Sequence, residues 1–193
     1  MMKILVFASG RGSNARAIFN AIKDATLSNV EVLALVSDIA DAPALKIAEE
    51  FGIKAVFIDP LRKGARFTEE SEKHYIEFVE QHNPDLIVLA GFMRILPETF
   101  VSKFGLKTIN LHPSLLPAYK GLDPIKRAFE ANEKQSGCSI HWVSNELDGG
   151  AIIAQSPVDI LSTDTLETLE EKVHKAEHKL MVEVIGNLSK NFS

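Results

Sequence analysis

Apolar runs of four to eight residues recur along the chain, separated by longer segments in which apolar positions return every three or four residues. Such alternation marks β-α-β units wrapped around a buried parallel sheet. The pattern predicts a strand over 4–8, a helix over 14–23 with Ala17, Ile18, Ala21 and Ile22 on one face, and a strand over 32–37. Pro43 lies near the start of a helix through Phe51, where its missing N–H is harmless, and Gly52 ends that helix before a strand at 55–58. Thr68, followed by Glu69 and Glu70, opens an amphipathic helix carrying Tyr75, Phe78 and Val79, which Pro84 closes. Residues 85–90 are the most apolar run of all and are expected at the centre of the sheet. A short helix (97–104), a strand (107–111) and a helix (125–132) follow. Two strands, 138–143 and 151–157, are expected as a hairpin-like antiparallel pair. One long amphipathic helix then runs from Thr165 to about Leu188, with Leu169, Val173, Leu180 and Val184 facing inward. The expected fold is α/β in one domain, 1–193, with a mostly parallel central sheet and an antiparallel part near the C-terminus.

Between the strand at 107–111 and the next helix, Pro113, Pro117, Gly121 and Pro124 exclude both helix interior and central strand. An ordered loop of this length is usually functional. Composition narrows the class. With 21 Lys+Arg against 26 Asp+Glu the net charge is −5, which gives no electrostatic footprint for nucleic acid or an anionic membrane. Any phosphate must therefore be held locally. The single cysteine, Cys138, fits a reducing compartment, and the apolar run after Met1-Met2-Lys3 is too short for a signal sequence. No run reaches the roughly 18 apolar residues of a membrane span. A cytoplasmic protein acting on small molecules is expected, with no expectation for oligomeric state.

Two constellations carry chemistry. The first is Ser9-Gly10-Arg11-Gly12-Ser13-Asn14-Ala15, between the first strand and its helix. Its glycines let the backbone turn sharply, and a helix N-terminus there aims N–H groups and a positive dipole end at an anion. Gly10, Gly12 and Ala15, with Asp38 after the second strand, also satisfy the dinucleotide pattern of a dehydrogenase. The blander reading is a tight turn with Ser13 or Asn14 as helix N-cap. Donor density in Arg11, Ser13 and Asn14 favours a phosphate. The second is Asn110-Leu111-His112-Pro113-Ser114, where strand alternation sends an amide and an imidazole to the same side. Asp148, ahead of Gly149-Gly150, is the candidate carboxylate, or merely a turn former. A third pattern, His174-Lys175-Ala176-Glu177-His178, matches the H-x-x-E-H of some zinc peptidases, but no third ligand follows; its bland alternative is a solvated helix face.

Taken with Ala90-Gly91-Phe92-Met93-Arg94-Ile95-Leu96 and Glu146-Leu147-Asp148-Gly149-Gly150, these motifs resemble the folate-dependent glycinamide ribonucleotide transformylase family over nearly the whole chain. The resemblance implies a Rossmann-like formyltransferase fold and transfer of a formyl group from 10-formyltetrahydrofolate, as co-substrate, to the amine of glycinamide ribonucleotide in purine biosynthesis, without a metal. It implies that Asn110, His112 and Asp148 form the catalytic set, and that Gly12, Ser13 and Asn14 hold the phosphate. Glu177 would then meet the glycinamide end. Arg66, Met93, Arg94, Ile95, Leu96, Asn110, Ser144, Asn145, Glu146, Leu147 and Asp148 would contact the folate. Lys120 and Asp123 replace the Pro and His of many relatives, and Gly121-x-x-Pro124-Ile125 is similar to methionyl-tRNA or sugar-nucleotide formyltransferases; the former carry a further C-terminal domain and a basic character this chain lacks, and the sugar-nucleotide class stays open.

Overall fold

Successive residues of β1 (Met2–Phe7) enter opposite cores, which is why its sequence is apolar without alternation. The structure, a computed structural model, describes residues 1–192. Ile4 and Val6 join one hydrophobic cluster and Leu5 and Phe7 the other. The first cluster lies under α1 (Ser13–Lys23), α2 (Pro43–Glu50), α5 (Pro124–Glu130) and α6 (Leu166–Ser189). The second lies under α3 (Glu69–His82) and α4 (Glu98–Phe104), where Tyr75 and Phe92 pack against Phe7.

The sheet completes the sandwich with β2 (Val30–Ser37), β3 (Ala55–Phe57), β4 (Leu86–Leu89), β5 (Thr108–His112), β6 (Gln135–Trp142) and β7 (Ile152–Asp159). Its seven strands run in the order β3-β2-β1-β4-β5-β6-β7. The β1–β5 strands are parallel, and β6 and β7 are each antiparallel to the preceding neighbour, as expected. The most apolar run, β4, is indeed the middle strand. Pro157 is tolerated because β7 is an edge strand with a free side. Boundaries shift by one to three residues: β6 begins three residues before the expected 138, a 3-10 turn at 105–107 delays β5, and Thr68 and Thr165 stand outside α3 and α6 as N-caps in capping boxes with Ser71 and Thr168. Among the described residues no helix is long and apolar enough to cross a membrane.

What this topology positions is one end of the sheet. The carboxyl ends of β1, β4 and β5 lie side by side, and in open α/β sheets a ligand crevice forms beyond such ends.

Candidate active site

The turn after β1 is built around Gly12, which has φ +73 and caps α1 with its backbone alone. Ser13 and Asn14 are therefore the first residues of α1, neither its N-cap, and the first-turn N–H groups have no partner within the helix. A Cβ at Gly12 would lie 2.8 Å from both Cα and Cβ of Ala44, so only glycine fits. The Gly10 carbonyl accepts from the Ala44 N–H at 3.1 Å, which ties the turn to α2.

Asp38, the acidic residue of the dinucleotide pattern, is spent inside the protein. It is 4% exposed, accepts from Ser9 Oγ at 2.5 Å and pairs with Arg94 Nε at 2.7 Å, so it has no carboxylate to offer a ribose. Ser9 Oγ in turn accepts from the Met93 N–H at 2.8 Å, joining the first turn to the segment after β4. Arg94 Nη1 donates to the carbonyls of Arg62, Gly64 and Arg66. Its guanidinium is thus buried beneath the 62–66 loop instead of lining a pocket, while Arg66 lies on the surface. Met93 and Ile95 expose large apolar side chains, as does Leu147 beyond β6, and Leu96 is half-buried against the second core cluster. Ser144 donates to the Glu146 carbonyl, Asn145 is exposed, and Glu146 pairs with Lys120 at 2.7 Å.

At the end of β5 the expected trio comes together. Asp148 Oδ2 lies 3.4 Å from His112 Nδ1 and accepts from the Gly121 N–H at 2.9 Å, while Oδ1 accepts from Asn110 Nδ2 at 3.4 Å. A mere turn former would not be 9% exposed with these partners. Its backbone is held at φ +50, and any Cβ at Gly150 would fall 1.7 Å from the Trp142 carbonyl oxygen, so the following glycine lets the loop return against β6. Burial pushes the Asp148 carboxyl up; the His141 ring, the Gly121 N–H and the His112 charge outweigh it and leave the pKa below the usual carboxylate value.

His141 is the member that sequence reasoning missed. It stands opposite Asn110 in the antiparallel β5–β6 register, is 2% exposed, and brings Nε2 to 3.7 Å from Asp148 Oδ1 and 3.2 Å from Asn110 Nδ2. The available signal was an imidazole inside the otherwise apolar or small-residue stretch 136–142. Its Nδ1 faces the Trp142 carbonyl at 2.8 Å and so carries a proton. His112 Nε2 faces the Tyr119 carbonyl at 2.9 Å and must donate there. With Nδ1 toward a carboxylate, both His112 nitrogens meet acceptors.

The H-x-x-E-H helix face is not solvated at its centre. Glu177 is 4% exposed, and its Oε2 accepts from Asn14 Nδ2 at 3.2 Å and from His174 Nδ1 at 3.0 Å. The buried His178 Nε2 has no hydrogen-bond partner, and burial lowers that ring's pKa. Among the described residues no group of three His, Cys, Asp or Glu side chains is gathered as for a metal.

Comparison with known proteins covers nearly the whole chain. A family model described as formyl transferase matches residues 2–185. The phosphoribosylglycinamide formyltransferase of Bacillus subtilis strain 168 is 41% identical over 188 residues, covering 97% of this chain and 95% of that protein. That of Escherichia coli K12 is 38% identical over 185 residues, covering 96% and 86%. The solved structure of the Coxiella burnetii phosphoribosylglycinamide formyltransferase superposes with a TM-score of 0.91 at 38% identity, covering 98% of this chain and 88% of that one.

Proposed function

This chain belongs to the formyl transferase family and is a transferase, and from that premise we propose that it formylates glycinamide ribonucleotide with 10-formyltetrahydrofolate as a cytoplasmic step of purine biosynthesis. The observation that carries the reading is the Asp148 carboxylate, which gathers Asn110, His112 and His141 beyond the strand ends. The substrate amine attacks the formyl carbon and its carbonyl becomes an oxyanion. Asn110 Nδ2 and the His112 Nε2–H are the donors that stabilise it, in a water-poor site where such donors count most. As the tetrahedral centre collapses, the amine's proton passes by way of the Asp148–His112 pair to the departing folate nitrogen, giving the formamide and tetrahydrofolate. The Nε2 proton that now meets the Tyr119 carbonyl is the one assigned to the formyl oxygen, so the 113–124 segment yields that contact in turnover.

Gly12, Ser13 and Asn14 hold the phosphate, with Glu177 a further ribonucleotide contact. Met93, Ile95, Leu96, Arg66 and the 144–148 loop contact the folate, and Arg94 contributes by fixing its segment. Incubating the protein with both substrates should convert the folate, read by absorbance. Absence of turnover, or turnover only with a sugar-nucleotide amine, would overturn the reading. Protein side chains supply all the acid–base work assigned here, so dialysis against a chelator should leave the rate unchanged; activity that tracks bound zinc would contradict this.

Gly12→Val should raise KM for the ribonucleotide roughly tenfold or more, the scale of one lost charge-assisted hydrogen bond at about 1.5–3 kcal/mol. It forces the turn off Ala44 and away from the phosphate. The KM for the folate should move far less. Equal damage to both would mean that the sheet end as a whole had collapsed.

A further inference from the structure

Glu177 raises an electrostatic problem for a phosphate site. A buried carboxylate lies against the first turn of α1, hydrogen-bonded to Asn14, at the place proposed to hold a phosphate dianion. Two like charges there would repel, strongly so where water is scarce. Beside them is His174, whose Nδ1 shares Glu177 Oε2 with Asn14, while among the described residues none donates to Oε1 or to the buried Asn14 Oδ1. Both unspent atoms are acceptors, suited to hydroxyl or amine donors of a ligand and not to its phosphate.

We propose that His174 is a positioning residue for the ribonucleotide: its imidazolium fixes Glu177 through Oε2, turns Oε1 to the substrate's donors, and cancels the carboxylate charge that would repel the phosphate. This rests on the reading given under Proposed function. The hydrogen bond and the charge are separable, because a neutral ring protonated on Nδ1 still donates to Glu177 but no longer neutralises it.

The charged surroundings support the cationic form. The hydrogen bond to Glu177 raises the His174 pKa against the opposing effect of burial; the Glu177 charge raises it further, Arg11 from the β1 turn lowers it, and Glu170 raises it. On the same helix face, His178 is pushed toward neutrality. From α1 the facing group is the neutral Asn14. The charged groups of α5 are engaged elsewhere, Lys126 with Glu130 and Arg127 with the Lys120 carbonyl. β6 offers the Cys138 thiol, which burial and then Glu177 push up to about 12, and Asp159 of β7 is bonded to Gln135. Since the folded value is raised, the charge is present below it and is lost as pH rises through it.

The test compares wild type, His174→Gln and His174→Lys from pH 6 to 9. In wild type the KM for the ribonucleotide should climb roughly tenfold above the His174 titration, the scale of one unit of coupling, while kcat and the folate KM stay nearly flat. His174→Gln keeps a donor without a charge, so its KM should be high and independent of pH across that range. His174→Lys should restore a low KM and carry it to higher pH. A ring NMR titration should also show inorganic phosphate raising the His174 midpoint. If wild type turns over the ribonucleotide but His174→Gln keeps the wild-type pH profile, or phosphate leaves the midpoint unmoved, the role of His174 is refuted. If wild type does not use the ribonucleotide at all, the broader reading fails instead.

Discussion

Asp148→Asn is expected to lower kcat by about 10²- to 10⁴-fold, the range for a lost acid–base group, with a much smaller effect on either KM. The replacement is nearly isosteric, so the loop held by Gly150 should survive. What changes is the chemistry of the two oxygens. Asp148 accepts from the Gly121 N–H and faces His112 and His141, and an amide cannot satisfy all three with its single oxygen. Without the carboxylate His112 Nδ1 loses the acceptor that orients the ring, and the relay to the folate nitrogen loses its midpoint. The pH profile gives a second reading. Because its folded pKa is lowered, the Asp148 contribution to stability is present above the ordinary carboxylate value and is lost only as pH falls through the lowered one. Wild-type activity should therefore not decline through protonation of Asp148 at mildly acidic pH. A folded Asp148→Asn protein within a few-fold of wild-type kcat would remove Asp148 from the catalytic set.

Where burial follows from local pattern, the sequence was a good guide. The runs at 4–8 and, after Asp85, at 86–90 could be read as strands covered on both faces because no polar position interrupts them, and α6 because its apolar positions keep helical period over many turns. Asn110 and His112 could be placed on one side because alternation within a single strand decides it. His141 was not legible in the same way. Its place opposite Asn110 depends on the register of β5 against β6, which a long connection sets. His174, Glu177 and His178 were seen as one motif on the last helix, yet nothing local tells that Glu177 meets Asn14 across a separation of 163 residues. The Arg94 side chain was equally illegible: its pairing with Asp38, the acidic residue of the alternative dinucleotide pattern, joins segments 56 residues apart.

That ion pair sets the largest expected loss of stability. Asp38→Ala should lower the free energy of unfolding by about 3–5 kcal/mol, the usual cost of leaving one member of a buried pair without its partner. The side chains of Arg94 and Asp38 are 6% and 3% exposed, so water cannot replace the lost carboxylate. The damage should spread along known connections. Ser9 loses its acceptor, and with it the tie between the β1 turn and the Met93 N–H weakens. Arg94, seeking water, should release the carbonyls of Arg62, Gly64 and Arg66, and the loop before α3 should loosen. Urea unfolding measures the first effect and the folate KM the second, which should rise more than the ribonucleotide KM because the Gly12 turn keeps its contact with Ala44. The double variant Asp38→Ala with Arg94→Met removes both charges. It should be less destabilised than the sum of the single variants, since the penalty lies in the orphaned charge and not in the lost attraction. Additive losses, or a single-variant cost below about 1 kcal/mol, the range of exposed pairs, would mean that the pair behaves as a surface contact and does not organise this end of the sheet.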